Sequence, residues 1–216
     1  MNKIKLIKEI ARWILRDEIE SNSNHSNPLE DYYNHKYPQI NQKHKKKFLG
    51  EILNLDIRTF VGNYVNNELP TIIGTDDEKA INALKWGVKN LKYVSDEIST
   101  GLSEYWSASY ETISKKEGDC EDGAILIYDI LRKNGIPSWK LRVTAGWAIN
   151  PRSGKVGGHC YLTYYSEEFN KWISLDWCYY PNIDEISKQP KYSDVGFYGE
   201  IWFSFNEEFC WGKDKL

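Results

Sequence analysis

Histidine is scarce in this chain: 216 residues contain four, at positions 25, 35, 44 and 159. Any imidazole chemistry therefore rests on one of four places. Cysteine is as rare, with Cys120, Cys160, Cys178 and Cys210, too few in a chain of this size to form a disulfide scaffold. No apolar run approaches the roughly 18 residues of a membrane span. The first 20 residues carry Lys3, Lys5, Lys8, Glu9, Arg12, Arg16, Asp17, Glu18 and Glu20, which interrupt any secretory apolar core. The expectation is a cytoplasmic protein with no signal peptide and free thiols. Neither sign of charge dominates. A net charge of -3 argues against nucleic acid as a partner, because phosphate neutralisation needs a basic surface. The basic run His44 to Lys47 reads as a solvated helix face, since Glu51 and Asp56 follow within a few turns.

Apolar residues make up 41% of the chain and aromatics 14%, enough for a sizeable core. Residues 3–20 place Ile4, Ile7, Ile10, Ala11, Ile14 and Leu15 at helical spacing, and the polar SNSNHSNPLE after them reads as a linker. Residues 1–30 are therefore expected to be an amphipathic helix with its linker. Residues 31–75 form a helical extension, patterned from about 40 to 66 by Phe48, Ile52, Leu55, Phe60, Tyr64 and Val65 and closed by Pro70. Residues 76–216 form the main domain. Thr75 and Glu78 have the spacing of a capping box for its first helix. The stretch up to residue 118 reads as an irregular approach. A buried helix over 119–134 then stops at Asn134-Gly135-Ile136-Pro137. Beyond it the period changes to two, predicting strands at 139–147, 159–165, 171–180 and 196–205. Helices followed by an antiparallel meander make the fold class α+β, with the central helix packed on the sheet.

The chemistry centres on KKEGDCEDGAI, residues 115–125, where Cys120 lies between Asp119 and Glu121. Flanking carboxylates disfavour a thiolate, so a catalytic Cys120 needs a compensating partner. The helix start offers one source of positive potential, with Asp119 as N-cap and Glu121 and Asp122 in the first turn. His159 offers another, since it opens a strand after Gly157-Gly158, whereas His25, His35 and His44 lie in polar surroundings. If His159 faces the helix start, strand alternation turns Cys160 away. On the next strand Ser174, Asp176 and Cys178 would share a face, with Asp176 the acid able to orient a histidine. A buried core cysteine and a structural histidine remain alternatives, as does a zinc site from Cys120, His159, Cys178 and an acid, which lacks closely paired ligands. Trp147, Trp172, Trp177, Tyr179 and Tyr180 could line a groove or fill the strand core.

WSASYETISKKEGDCEDGAILIYDILRKNGIP, GGHCYLTYY and WISLDW together resemble the transglutaminase-like superfamily of papain-type folds, and within it the bacterial transglutaminase-like cysteine proteinases. The likeness runs over roughly residues 76–180. It implies a papain-like core in which Cys120 is the nucleophile, His159 the general base and then acid, and Asp176 the orienting group. Trp106 would be an oxyanion donor or a groove wall. The implied activity is hydrolysis of peptide or isopeptide bonds in a protein or peptide substrate through a thioester. Acyl transfer to an amine is the alternative within the family. A different class of reading is a structural or binding module of a larger assembly, such as a viral particle, attached to a protein partner through the N-terminal helix. No cofactor is required by the triad, and calcium on Asp119 and Glu121 is the metal the resemblance suggests.

Overall fold

A computed structural model describes residues 61–62, 68–191 and 196–212. The amphipathic helix and linker expected over 1–30 lie outside the described residues. So does the helical pattern of 40–66, except for Val61 and Gly62, which form a bend. Among the described residues no helix is long and apolar enough to cross a membrane.

Helix α1, Asp76–Asn90, starts with the anticipated reciprocal cap: Glu78 N–H donates to Thr75 Oγ1 at 3.3 Å, and Thr75 N–H to Glu78 Oε2 at 2.8 Å. The approach that follows is more ordered than its composition suggests. It holds strand β1 (Lys92–Tyr93), helix α2 (Asp96–Ser99), helix α3 (Ser109–Lys115) and strand β2 (Glu117–Gly118), with β1 and β2 paired in parallel. Glu111 caps α3 by accepting from the Ala108 N–H at 3.0 Å. With alanine at the cap position, only half of a capping box is visible in the sequence.

Helix α4, Cys120–Lys133, is the axis of the domain. Residues 121–131 are all buried, and each fully buried leucine or isoleucine there contributes about 1.5–3 kcal/mol. At its end Gly135 takes φ +87° and the Ile136 N–H donates to the Leu131 carbonyl at 3.0 Å, the six-to-one bond of a Schellman stop. Helices α1 and α3 flank α4, whose other side packs on the sheet.

The sheet comprises β3 (Leu141–Ile149), β4 (Val156–Ser166), β5 (Lys171–Leu175), β6 (Tyr198–Phe205) and β7 (Cys210–Gly212), in the order β5-β4-β3-β6-β7 and antiparallel throughout. Alternation along β4 sends Cys160, Leu162 and Tyr164 into the helix-side core, while Tyr161 joins Ala148 and Tyr198 in a second apolar cluster. The expected fold class, α+β with a cysteine-bearing helix on an antiparallel sheet, is what the chain adopts. The strand read over 171–180 is shorter, ending at Leu175; a turn begins at Trp177. Irregular β3–β6 pairing, in which Ala145 faces Phe203 but Gly146 faces Ile201, leaves Trp202 in a bulge.

Candidate active site

Cys120 is the first residue of α4. Asp119 occupies the cap position, but its carboxylate makes no capping bond. Asp122, in the first turn, reaches back: its side chain accepts from Ser107 N–H at 2.7 Å and from Asp119 N–H at 3.4 Å. The Asp119 carboxyl, the Cys120 thiol and the Glu121 carboxyl bring one atom each within 4.8 Å of one another. The first turn is clamped from the sheet side by Trp177, whose indole N–H donates to the Cys120 carbonyl at 3.3 Å. That approach requires glycine at 123, because a Cβ there would occupy the Trp177 indole. The glycine of GDCEDG is therefore a packing requirement, not a flexible joint.

The Cys120 thiol donates to Glu121 Oε2 at 3.2 Å. Burial pushes its pKa well above the usual thiol value, and the Glu121 charge pushes the same way. His159, near the start of β4, is buried, and its Nε2 lies 2.8 Å from Asp176 Oδ2. An Nε2–H donated to that carboxylate leaves Nδ1 as the nitrogen open to a proton from elsewhere. The Tyr179 ring stacks on the imidazole with centroids 3.8 Å apart.

Asp176, fully buried, is the residue that follows β5. Its Oδ1 accepts from the N–H groups of Cys178 at 3.1 Å and Tyr179 at 3.0 Å, and its Oδ2 from His159 and from the Tyr198 hydroxyl at 3.0 Å. Four donors offset the desolvation of a buried carboxylate. Because Asp176 caps a turn, Cys178 does not continue the strand face carrying Ser174. The expected facing of β4 is also corrected: Cys160 looks into the helix-side core and His159 stacks with Tyr161 and Tyr179. At the glycine end of the strand both nonetheless border one cavity with Cys120.

Cys120 and His159 sit where two cavities meet. One, of about 460 Å³, runs past Trp177, Tyr179 and Asn150; the other, of about 440 Å³, runs past Trp106, Trp202 and Glu104. Tyr93, carried by the β1–β2 ladder, lines both. Trp106 is a wall of the second cavity, its ring packed beside Phe203 and Phe205 and its indole N–H donated to Glu104 Oε1 at 2.7 Å. Of the other aromatics read as a groove, Trp172 is buried beside Tyr165 and Arg142, and Trp147 packs edge-on to Trp202.

Five acids converge beside the thiol. Asp96, Glu104 and Glu121 bring carboxylate oxygens within 4.8 Å of one another, as do Asp96, Asp119 and Asp122. Burial raises every one of their pKa values, Asp96 to about 6 and Asp122 to about 7. Asp119 Oδ1 and Glu121 Oε1 are buried with no hydrogen-bond donor among the described residues. The sequence pointed to Asp119 and Glu121 only. Asp96 and Glu104 come from the segment read as irregular, and Tyr198 from a strand with no local motif to mark it.

A family model for the transglutaminase-like superfamily matches residues 61–177. No curated protein sequence matches the chain. Among solved structures, EGTA-treated LapG of Legionella pneumophila is 26% identical, with a TM-score of 0.48 over 65% of this chain and 70% of that one. The calcium-bound form of LapG is 24% identical, with a TM-score of 0.44 over 67% and 86% of the respective chains. A protein of Cytophaga hutchinsonii, described as a proposed cysteine protease, is 20% identical, with a TM-score of 0.41 over 79% and 60%.

Proposed function

The chain belongs to the transglutaminase-like superfamily, and we propose that within it this protein is a cysteine hydrolase of amide bonds in peptides or proteins. The observation that carries this reading is the His159–Asp176 hydrogen bond, which commits Nε2 and leaves Nδ1 for a thiol bordering the same cavities. In the proposed reaction the Cys120 Sγ–H turns from Glu121 and gives its proton to His159 Nδ1. The thiolate attacks the carbonyl carbon, and a C–S bond forms as the carbonyl π pair moves to oxygen. Cys120 N–H, one of the helix-start donors with no partner inside the helix, is suited to hold that oxyanion. His159 then protonates the departing nitrogen as the C–N bond breaks, leaving a thioester. Water, deprotonated by His159, attacks the thioester; the C–S bond breaks, His159 returns the proton to Sγ, and the product acid leaves. Asp176 holds the imidazole in the required tautomer and balances its charge. Trp106 is assigned to the wall and not to the oxyanion site, since its N–H is already donated to Glu104.

The acid group supports a divalent cation beside this machinery. Its donors are all oxygen, as calcium prefers, and the unpartnered Asp119 Oδ1 and Glu121 Oε1 fit a group that would satisfy them. Asp96, Glu104, Asp119, Glu121 and Asp122 are the residues that would hold it. Bound there, calcium would supply positive charge next to the thiol, reversing the field that now opposes the thiolate.

The test is the pH dependence of Cys120 alkylation with calcium present, in wild type and His159→Ala, mapped by peptide mass. Wild type should react well below the ordinary thiol range of about 8.5 and the variant only near it. Identical profiles would defeat the reading. Product masses with added primary amine decide the acceptor, because amine incorporated at the expense of acid would make the protein an acyl transferase.

A further inference from the structure

The two cavities that meet at Cys120 and His159 carry opposite charge. The Trp106 side presents Glu104, Asp119 and Glu121. On the other side, Arg152 is the one residue of permanent charge among the described residues that line it. Its influence reaches the site, since the Arg152 charge opposes the rise of the Cys178 thiol pKa. Among the described residues Arg152 makes no ion pair. Guanidinium groups pair readily with carboxylates because their donors form a rigid fork, so one left unpaired beside a reactive cleft is available to a ligand.

The loop that carries it is braced by its own hydrogen bonds. Asn150 Oδ1 accepts from Arg152 N–H at 2.9 Å and Ser153 N–H at 3.1 Å, and the Asn150 carbonyl accepts from Gly154 N–H at 2.8 Å. Gly154 has φ +68°, the left-handed conformation that closes this turn without strain. Asn150 and Arg152 line the same cavity as Tyr179, whose ring stacks on His159.

We propose that Arg152 makes the Asn150 side of the cleft a subsite for an anionic group, so that the preferred substrate places an acidic side chain there, within a few residues of the amide that Cys120 attacks. This rests on Cys120 and His159 being the reactive pair.

Two thiol probes of matched shape test this without a known substrate: 3-maleimidopropionate and its neutral carboxamide, each read as the rate of Cys120 modification in calcium. The ratio of acid to amide rates cancels changes in thiol reactivity. It should fall by roughly three- to tenfold in Arg152→Gln, and further in Arg152→Glu, the scale of one nearby charge in a solvated cleft. Lys155→Gln removes the same charge from the same loop outside the cavity and should leave the ratio at its wild-type value. A ratio unchanged by the Arg152 variants, or lowered equally by Lys155→Gln, would overturn the subsite while leaving the thiol chemistry standing. If neither probe modifies Cys120 below about pH 8, the reactive pair itself fails and the subsite with it.

Discussion

Around His159, both oxygens of the buried Asp176 are matched by donors, two from backbone and two from side chains. Around Cys120, which borders the same cavities, buried carboxyl oxygens of Asp119 and Glu121 meet no donor among the described residues, and the thiol is turned to an acid. The base half is complete in protein atoms alone. The nucleophile half carries concentrated like charge that protein atoms do not offset. The difference teaches where control can enter: the imidazole is fixed by the fold, whereas the thiol depends on what neutralises its neighbours, whether protons or a cation.

The strongest way to break the finished half is Asp176→Asn, which keeps the volume but presents the wrong group to Nε2–H. Turnover should fall on the order of 10³-fold or more, as happens when a triad acid is lost, with little change in secondary structure by circular dichroism. Activity within tenfold of wild type would mean that this half is not what holds the base.

The unfinished half is probed by pH. Asp96 titrates near 6, and Asp122 and Asp129 near 7, all raised first by burial, against about 3.9 in the unfolded chain. A carboxyl that binds its proton more tightly when folded favours the fold while protonated. The stability it adds is full below about pH 4 and is lost as pH rises through 6 to 7. In chelator the thermal midpoint should therefore rise as pH is lowered from about 8 toward 5. Calcium should flatten the part of this slope that comes from Asp96 and Asp122. Asp129 lies away from that group, bonded to Ser109 and Gly62, so its share should persist. An identical slope with and without calcium would remove the acids as a cation site.

The smallest expected effect sharpens the account of the base half. Tyr198→Phe removes one donor of four from Asp176, a bond worth about 1 kcal/mol. Turnover should drop about fivefold at unchanged KM, and the loss should vanish in an Asp176→Asn background, as a double-mutant cycle requires of partners acting through one contact.

Much of this site was legible because its members have few rivals. With four histidines, one of them at a glycine-led strand start, His159 stood out; an acid inside ISLDWCYY needed a buried partner, and the His159–Asp176 bond supplies one. Periodicity located α4 and the long strands. What it missed depends on tertiary neighbours: Tyr198 looks like any strand tyrosine until β6 brings its hydroxyl to Asp176. Strict alternation on β4 does not tell that Cys160 faces the helix-side core while the glycine end of the strand lets residues of both faces reach one cavity. Asp119 holds the cap position and Glu121 and Asp122 the first turn, as the residue types there indicate.

Trp177 follows Asp176 in the chain and grips the first turn of α4 across a separation of 57 residues. In the proposed mechanism, the group that aims the base and the group that steadies the nucleophile are thus adjacent links, and a displacement of one carries the other with it.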